Sequence, residues 1–147
     1  MSSDLVQPAP MAEQELARRL RQSNAGKLFS FKLRAAEAGR AVVRMRVASK
    51  HKQVYGVVHG GVLAALADTA GGMATYTVVS RGVRVATVEM KINFLEPVDR
   101  GMVVAEARVL RKGRNFAVVD CDVHHARGRL AAKALMTFSL DAGEVRP

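Results

Sequence analysis

One stretch of the chain limits its possible folds more than any other. Residues 60–79, GGVLAALADTAGGMATYTVV, are apolar or small on every side and contain a single ionisable residue, Asp68. A helix without a polar face has to be surrounded by other parts of a protein. Its alanines and glycines also let neighbouring backbone approach closely. The sequence therefore predicts a central helix that is covered by a sheet and by a neighbouring chain.

Six further segments alternate apolar and polar residues with a period of two, which is typical of strands with one buried face. They cover residues 28–35, 43–47, 86–94, 103–109, 117–123 and 130–138. Turn sequences rich in Gly separate most of them, and short connections make consecutive strands antiparallel. The expected fold class is α+β, with a six-stranded antiparallel sheet wrapped around one long central helix.

The N-terminal region is predicted to lie outside this sheet. Residues 1–10 contain two prolines and small polar residues, which favours a disordered leader. Residues 11–23 favour a short amphipathic helix with Leu16 and Leu20 on one face, ended by Asn24 and Gly26. Because 147 residues suffice for one core but not two, residues 11–147 are predicted to form a single domain.

Composition narrows the class of protein. The sequence has no long uncharged apolar run, no secretory signal pattern and a single cysteine, so we expect a soluble protein of the reducing cytoplasm. The net charge of +10 favours a polyanionic partner. Basic residues are spread along the chain and no nucleic-acid-binding signature is present, so we expect neither nucleic acid nor a membrane as partner. Among polyanionic partners, a small phosphorylated molecule such as coenzyme A is the one that remains.

Asp68 is the first candidate for chemistry. A carboxylate in an apolar helix loses hydration, which is costly unless it has partners or a task. One interpretation is structural, with Thr69 or a backbone amide of a neighbouring chain as its partner. The other is catalytic, because carboxylates in such surroundings often mark functional sites, and we favour it.

His59, Gly60 and Gly61 stand at the start of the same helix. The first backbone N–H groups of a helix have no internal partner, and the helix dipole is positive there. Glycines let a ligand come close, so a thioester carbonyl placed against the Gly60 or Gly61 amide would be polarised for attack. The alternative is an ordinary helix start in which His59 is a local cap.

The spacing of these residues predicts a dimer. Gly60 and Asp68 are eight residues apart, which is about 12 Å along a helix. A carboxylate and an oxyanion donor must both lie close to one reacting carbonyl. If two central helices run antiparallel across a two-fold axis, Gly60 of one chain meets Asp68 of the other, and the dimer has two equivalent sites.

Taken together, these residues resemble a known family. The pattern Gly56-x-x-His59-Gly60-Gly61, the ADTA around Asp68 and the run TVEMKINFLEP at residues 87–97 are similar to the PaaI-like (phenylacetate-pathway) branch of the hotdog-fold acyl-CoA thioesterases, over about residues 28–140. The resemblance implies acyl-CoA hydrolysis by a homodimer, often doubled to a homotetramer. It implies Asp68 as nucleophile or general base, with Thr87 holding the attacking water.

Two residues qualify the resemblance. Gln53 stands where this family usually has Asn six residues before the His, and that residue is expected to bind the carbonyl or orient the carboxylate. Gln keeps the amide but changes its reach. Thr87 falls on the polar face of its predicted strand, so its role depends on how the sheet faces the partner chain. A period of two cannot reveal a bulge.

Other candidates are weaker. Arg111, Lys112 and Arg114 flank a predicted hairpin tip, where they are either solvated or hold the phosphates of coenzyme A. His124 and His125 are neighbours in a strand and therefore point to opposite faces, which makes them poor joint metal ligands. Cys121 lies on the buried face of its strand and is predicted to be a packed thiol.

The predicted function is hydrolysis of an aryl- or medium-chain acyl-CoA thioester to free acid and coenzyme A, with no metal or redox cofactor. Two alternatives remain open. One is a hotdog enoyl-CoA hydratase or dehydratase, which pairs a histidine with an acid. The other is a non-catalytic acyl-CoA-binding protein, which would bind without releasing a thiol.

Overall fold

The computed structural model describes residues 7–142, so most of the predicted leader lies outside the described residues. In chain order the elements are α1 (Glu13–Gln22), α2 (Asn24–Phe29), β1 (Lys32–Glu37), β2 (Arg40–Arg46), α3 (Gly60–Tyr76), β3 (Arg84–Phe94), β4 (Met102–Lys112), β5 (Phe116–His125) and β6 (Leu130–Asp141), with a 3-10 turn at Ser49–His51. None of the helices in this part of the chain is long and apolar enough to cross a membrane.

The strands form one antiparallel sheet in the order β1-β2-β4-β5-β6-β3. Helix α3 packs on one face of this sheet, mainly against β2, β4 and β5. Because β3 pairs only with β6, it forms one edge of the sheet, and β1 forms the other. The predicted fold class is confirmed.

The alternating pattern correctly identifies the buried face of the central strands. The side chains that point toward α3 are fully or almost fully buried, and they are Val103, Ala105 and Ala107 of β4, Ala117, Val119, Cys121 and Val123 of β5, and Ala132, Ala134, Met136 and Phe138 of β6. Removing this apolar area from water is the main source of the stability of such a core.

The N-terminal region departs from the prediction. The chain does not enter β1 at Leu28, because a second short helix, α2, continues as far as Phe29. Ser23 starts this helix by accepting a hydrogen bond from the Gly26 amide at 3.2 Å. Gly26 is therefore not a stop signal but a point of close packing, where a Cβ atom would lie 2.4 Å from the Leu20 carbonyl oxygen.

Strand β3 contains a bulge that the sequence pattern did not predict. Its register against β6 shifts between Thr87 and Glu89, so one extra residue, Val88, interrupts the alternation. Val85 packs against the core before the bulge and Met90 after it. The alternation predicted over residues 86–94 would turn Val88 toward the core, and this is wrong, since 58% of its surface is exposed.

The sheet covers only one side of α3. Eight residues of the helix are buried, whereas a stripe along its other side remains half-exposed. This stripe consists of Ala64, Ala65, Asp68, Thr69, Gly72, Met73 and Tyr76. It is largely apolar and lies next to the strand edge of β3.

Candidate active site

Asp68 and Thr87 meet at the half-exposed side of α3. The Thr87 hydroxyl donates a hydrogen bond to Oδ1 of Asp68 at 2.5 Å. Thr69, the expected structural partner, instead donates its hydroxyl to the Ala65 carbonyl of its own helix at 2.8 Å. Thr87, which the bulge in β3 turns toward the helix, therefore orients Asp68.

The start of α3 presents one free backbone donor. His59 is the N-cap residue, and its Nδ1 atom accepts a hydrogen bond from the Gly61 amide at 2.8 Å. The Val62 amide donates to the His59 carbonyl at 2.9 Å. Among residues 7–142, the Gly60 amide has no acceptor. Gly60 is thus the better placed of the two glycines to donate to a ligand, and His59 acts as the local cap.

An apolar cavity opens next to Gly60. It has a volume of about 370 Å³, within the range of small-molecule sites, and its lining includes Val57, Gly60, Leu63, Phe94 and Pro97. The Phe94 ring lies so close to Gly60 that an added Cβ atom would be 3.1 Å from Cζ. Glycine at this position therefore lets the aromatic wall approach the helix start.

The loop before α3 is anchored by a histidine that the sequence analysis missed. His51 is 1% exposed. Its Nδ1 atom accepts from the Ala48 amide at 2.9 Å, so Nε2 carries the proton and donates to the Phe29 carbonyl at 2.8 Å. The His51 carbonyl in turn accepts from the His59 amide at 2.8 Å. No motif marks His51, because its role depends on contacts with a distant helix.

Gln53 lies in the same loop. Its side-chain amide makes no hydrogen bond to Asp68 within the described residues. Its side-chain carbonyl accepts from the Tyr55 amide, and its backbone amide donates to the Val57 carbonyl at 2.9 Å. Within the single chain, Gln53 therefore closes its own turn. Its predicted role toward the carbonyl stays a prediction.

Within one chain, the predicted residues form two separate groups. Asp68 and Thr87 lie near the middle of α3, whereas His59, Gly60 and Gly61 lie at its start, about 12 Å away along the helix. The Val58 amide donates to the Val98 carbonyl at 2.7 Å and so fixes the helix start beside the end of the sheet where β4 begins. One chain alone does not place Asp68 beside a free helix N-terminus.

Arg111, Lys112 and Arg114 are exposed at the β4–β5 hairpin, as predicted for a turn. β4 spans 11 residues, so the hairpin lies about 30 Å from the beginning of that strand. The three basic residues therefore lie at the opposite end of the sheet from the start of α3.

Cys121 is fully buried. This burial raises the pKa of its thiol to about 12, which leaves almost no thiolate at neutral pH. Cys121 is thus a packed core residue and not a nucleophile.

Comparison with known proteins identifies the family. The sequence model of the thioesterase superfamily matches residues 55–132, which run from the loop before α3 into β6. A protein of Saccharolobus solfataricus, provisionally assigned as an esterase, is 40% identical over 109 residues, which are 74% of this chain and 77% of that protein. Human acyl-coenzyme A thioesterase 13 is 32% identical over 108 residues, 72% of this chain and 76% of the human protein.

The fold agrees with this relationship. The crystal structure of a thioesterase from Haemophilus influenzae superposes with a TM-score of 0.86 at 26% identity, covering 97% of this chain and 100% of that one. The match includes the sheet, α3 and the N-terminal helices. The chain therefore belongs to the thioesterase superfamily, has the hotdog fold and is a thioester hydrolase.

Proposed function

We propose that the protein hydrolyses aryl- or medium-chain acyl-CoA thioesters to the free acid and coenzyme A. The observation that carries the proposal is the hydrogen bond from Thr87 to Asp68 on the uncovered side of α3. The name of the human relative, an acyl-coenzyme A thioesterase, supports the substrate class. The apolar cavity beside Gly60 is suited to an acyl group.

In the proposed reaction Asp68 supplies the base or the nucleophile. As a base, it takes a proton from water while the oxygen of that water bonds to the thioester carbonyl carbon. As a nucleophile, it bonds to the same carbon directly and water later hydrolyses the anhydride. In both cases the C–S bond breaks and coenzyme A leaves. Its sulfur takes up the proton that Asp68 removed from water in the first route, and a proton from solvent in the second. Thr87 fixes the carboxylate by donating to Oδ1, which leaves the other oxygen for the reaction.

The developing oxyanion requires a donor that lies about 3 Å from it. The Gly60 amide is free and stands at the positive end of the helix dipole. Because it lies too far from Asp68 of its own chain, we infer that the donor comes from a partner chain. The protein would then act as a homodimer with two shared sites, and two dimers would associate into a homotetramer.

Two surfaces of the protomer support this assembly. The half-exposed stripe of α3 is small and apolar, which allows a second helix to approach closely. Beside it, β3 is an 11-residue edge strand with one row of backbone groups unpaired by the sheet. Exposed edge strands readily pair with another chain. A partner bound along this side would cover both surfaces.

A thiol-release screen tests the activity. Wild-type protein and the Asp68→Asn variant are incubated with a panel of aryl and aliphatic acyl-CoA thioesters, and free coenzyme A is measured with a thiol reagent. We expect turnover by the wild type and a kcat lower by about 100-fold or more in the variant, with substrate binding retained. Binding without thiol release by the wild type would instead identify a binding protein. Loss of the double-bond absorbance of an enoyl-CoA would identify a hydratase.

A mixing experiment tests the shared site. Chains that carry Asp68→Asn are refolded together with chains that carry Gly60→Pro, which lack the proposed oxyanion donor. Half of the dimers formed at random are hybrids with one intact site, so about one quarter of the wild-type activity should return. Each variant alone serves as the control. The absence of rescue, in a mixture shown by size-exclusion chromatography to be dimeric, contradicts the shared site.

A further inference from the structure

A second cavity lies at the end of the sheet, between the β3–β4 turn and the β5–β6 turn. It has a volume of about 560 Å³, and its lining includes Arg100, Gly101, Met102, His125, Arg127 and Arg129. We call it the turn-end cavity. None of the proposed catalytic residues lines it.

The walls of the turn-end cavity are fixed by backbone hydrogen bonds. The Ala126 amide donates to the Met102 carbonyl at 2.9 Å and so ties the two turns together. The His125 amide donates to the Arg129 carbonyl, also at 2.9 Å. Gly101 and Gly128 have φ values of +84° and +91°, which other residues rarely adopt. The arginines therefore project from a preorganised frame.

The turn-end cavity carries an excess of positive charge. Arg100 lies 3.8 Å from Asp99, and Arg129 lies 3.6 Å from Glu96. Both are long contacts between exposed groups, and such pairs are weak. Arg127 forms no ion pair with any residue of the described range. Three guanidinium groups therefore line this cavity. Neither Asp99 nor Glu96 binds its neighbouring arginine firmly.

His125, which lines this cavity, also has a buried ring nitrogen without a partner in the described part of the chain. Nε2 of His125 is shielded from solvent and makes no hydrogen bond within residues 7–142. Buried polar atoms are nearly always hydrogen-bonded in folded proteins, and an exception often marks a binding site. Because Nε2 is shielded from solvent, it becomes available to a ligand in the cavity only if His125 rearranges on binding.

A basic groove lies beside the turn-end cavity and shares one lining residue with it, Met102. The groove has a volume of about 320 Å³ and is lined by Ser30, Lys32, Arg44, Arg46 and Met102, without any acidic residue. Lys32 lies directly opposite Arg44 in the β1–β2 pairing, and like charges in that position repel. Within the described chain, none of its three basic side chains forms an ion pair.

We propose that the turn-end cavity and the basic groove together bind an anion that carries two phosphoryl groups. Guanidinium groups match the geometry of phosphate oxygens and form charge-assisted hydrogen bonds with them. One phosphoryl group occupies the turn-end cavity and the other the groove. The combined space suits a small molecule. This site is distinct from Arg111, Lys112 and Arg114, which lie at the other end of the sheet.

Calorimetric titration tests this site without any need for catalysis. Adenosine 3′,5′-bisphosphate, whose two phosphoryl groups are held apart by the ribose, is the probe, and the wild type should bind it. The Arg127→Gln/Arg129→Gln and Arg44→Gln/Arg46→Gln variants should each bind about tenfold or more weakly, because each loses charge-assisted hydrogen bonds. Arg18→Gln/Arg21→Gln on α1 removes the same charge from an exposed helix and is the matched control. Equal affinity in all variants, or no binding by the wild type, overturns the proposal.

The phosphoryl groups could belong to the coenzyme A part of the proposed substrate or to a separate molecule, and kinetics distinguishes the two sources. KM is compared for an acyl-CoA and for the corresponding acyl-pantetheine thioester, which has no phosphate. A rise in KM for acyl-CoA alone in the Arg127→Gln/Arg129→Gln variant assigns the site to the substrate. Unchanged KM values, together with weakened binding of the bisphosphate, assign it to a separate ligand.

Discussion

The Thr87 hydroxyl lies 2.5 Å from the Asp68 carboxylate, although strict alternation along β3 would place Thr87 on the opposite face of the sheet. The extra residue at Val88 accounts for this placement, because it reverses the side-chain direction of every residue before it. The orientation of the proposed catalytic carboxylate thus depends on a local irregularity in the strand.

Replacing Thr87 by Val removes the donor to Asp68 while keeping the shape of the side chain. We expect kcat to fall by about tenfold or more, because the carboxylate loses the group that orients it. Thr87→Ser retains the hydroxyl and is the control, so it should keep most of the activity. Steady-state kinetics on the best substrate checks both variants, and equal rates in the two would show that the hydroxyl is not needed.

Gly60 offers a matched pair of substitutions that separates its amide from its small size. It is the first residue of α3, a position at which proline is well tolerated. Gly60→Pro removes the N–H, and loss of one oxyanion donor should lower kcat by about 100-fold or more. Gly60→Ala keeps the N–H and brings a Cβ atom equally close to Phe94. Its kcat should therefore fall far less. A similar loss in both variants would assign the effect to crowding.

His59 is expected to stabilise α3 through its cap. His59→Ala leaves the Gly61 amide without its acceptor at 2.8 Å, and the free energy of unfolding should fall by about 1 kcal/mol. His59→Asn can accept the same hydrogen bond and should restore most of the loss. Urea unfolding followed by circular dichroism measures the difference. If Ala and Asn are equally stable, the cap does not contribute.

The buried thiol of Cys121 should make the free energy of unfolding depend on pH. Burial raises the pKa of its thiol from 9.0 to about 12 in the folded chain, so above pH 9 the unfolded chain loses a proton that the folded chain keeps. The contribution of Cys121 to stability is therefore complete below pH 9 and is lost as the pH rises toward 12. The free energy of unfolding should decline by up to about 1.4 kcal/mol per pH unit in this range.

Cys121→Ala serves as the reference for this measurement, since it retains every other titrating group. The difference in slope between wild type and variant isolates the thiol. In the native protein at neutral pH, iodoacetamide should label Cys121 only after addition of denaturant. Rapid labelling of the native protein would contradict the buried, protonated thiol.

Gly71 and Gly72 are neighbours in α3 with opposite expected responses to alanine. A Cβ atom on Gly71 would lie 2.7 Å from Met136 and 2.9 Å from Phe138, both in the core. Overpacking of this kind costs about 1–3 kcal/mol, which outweighs the gain of about 1 kcal/mol in helix propensity. At Gly72 the nearest atom, in Phe138, would be 3.8 Å away. Gly72→Ala should therefore stabilise the isolated chain, and thermal unfolding at concentrations where size-exclusion chromatography shows single chains compares the two variants.

The sequence predicted the fold more completely than the site. Alternation identified the buried faces of β4, β5 and β6, because hydrophobic burial acts on each residue separately and leaves a regular pattern. The alternation gave the wrong face in β3, where a bulge reverses the side-chain direction without changing the composition of the strand. It was also wrong before Lys32, where Ser23 starts a second short helix. Asp68, His59 and Gly60 could be recognised because polar or flexible residues in or just before an apolar helix are unfavourable unless they have a structural or functional role.

Contacts between distant parts of the chain account for what remained hidden. His51 binds a carbonyl in α2, 22 positions earlier, and no local pattern records that contact. The basic residues of the turn-end cavity are spread over two turns that only the sheet brings together. In both cases tertiary packing defines the group.

The bulge at Val88 has a second consequence, because β3 is also an edge of the sheet. A long, regular edge strand is a template onto which further chains can add, and such addition leads to aggregation. An extra residue in the middle interrupts the row of hydrogen-bonding groups and bends the strand. The irregularity that turns Thr87 toward Asp68 therefore also makes this edge a poorer template for the open-ended addition of chains.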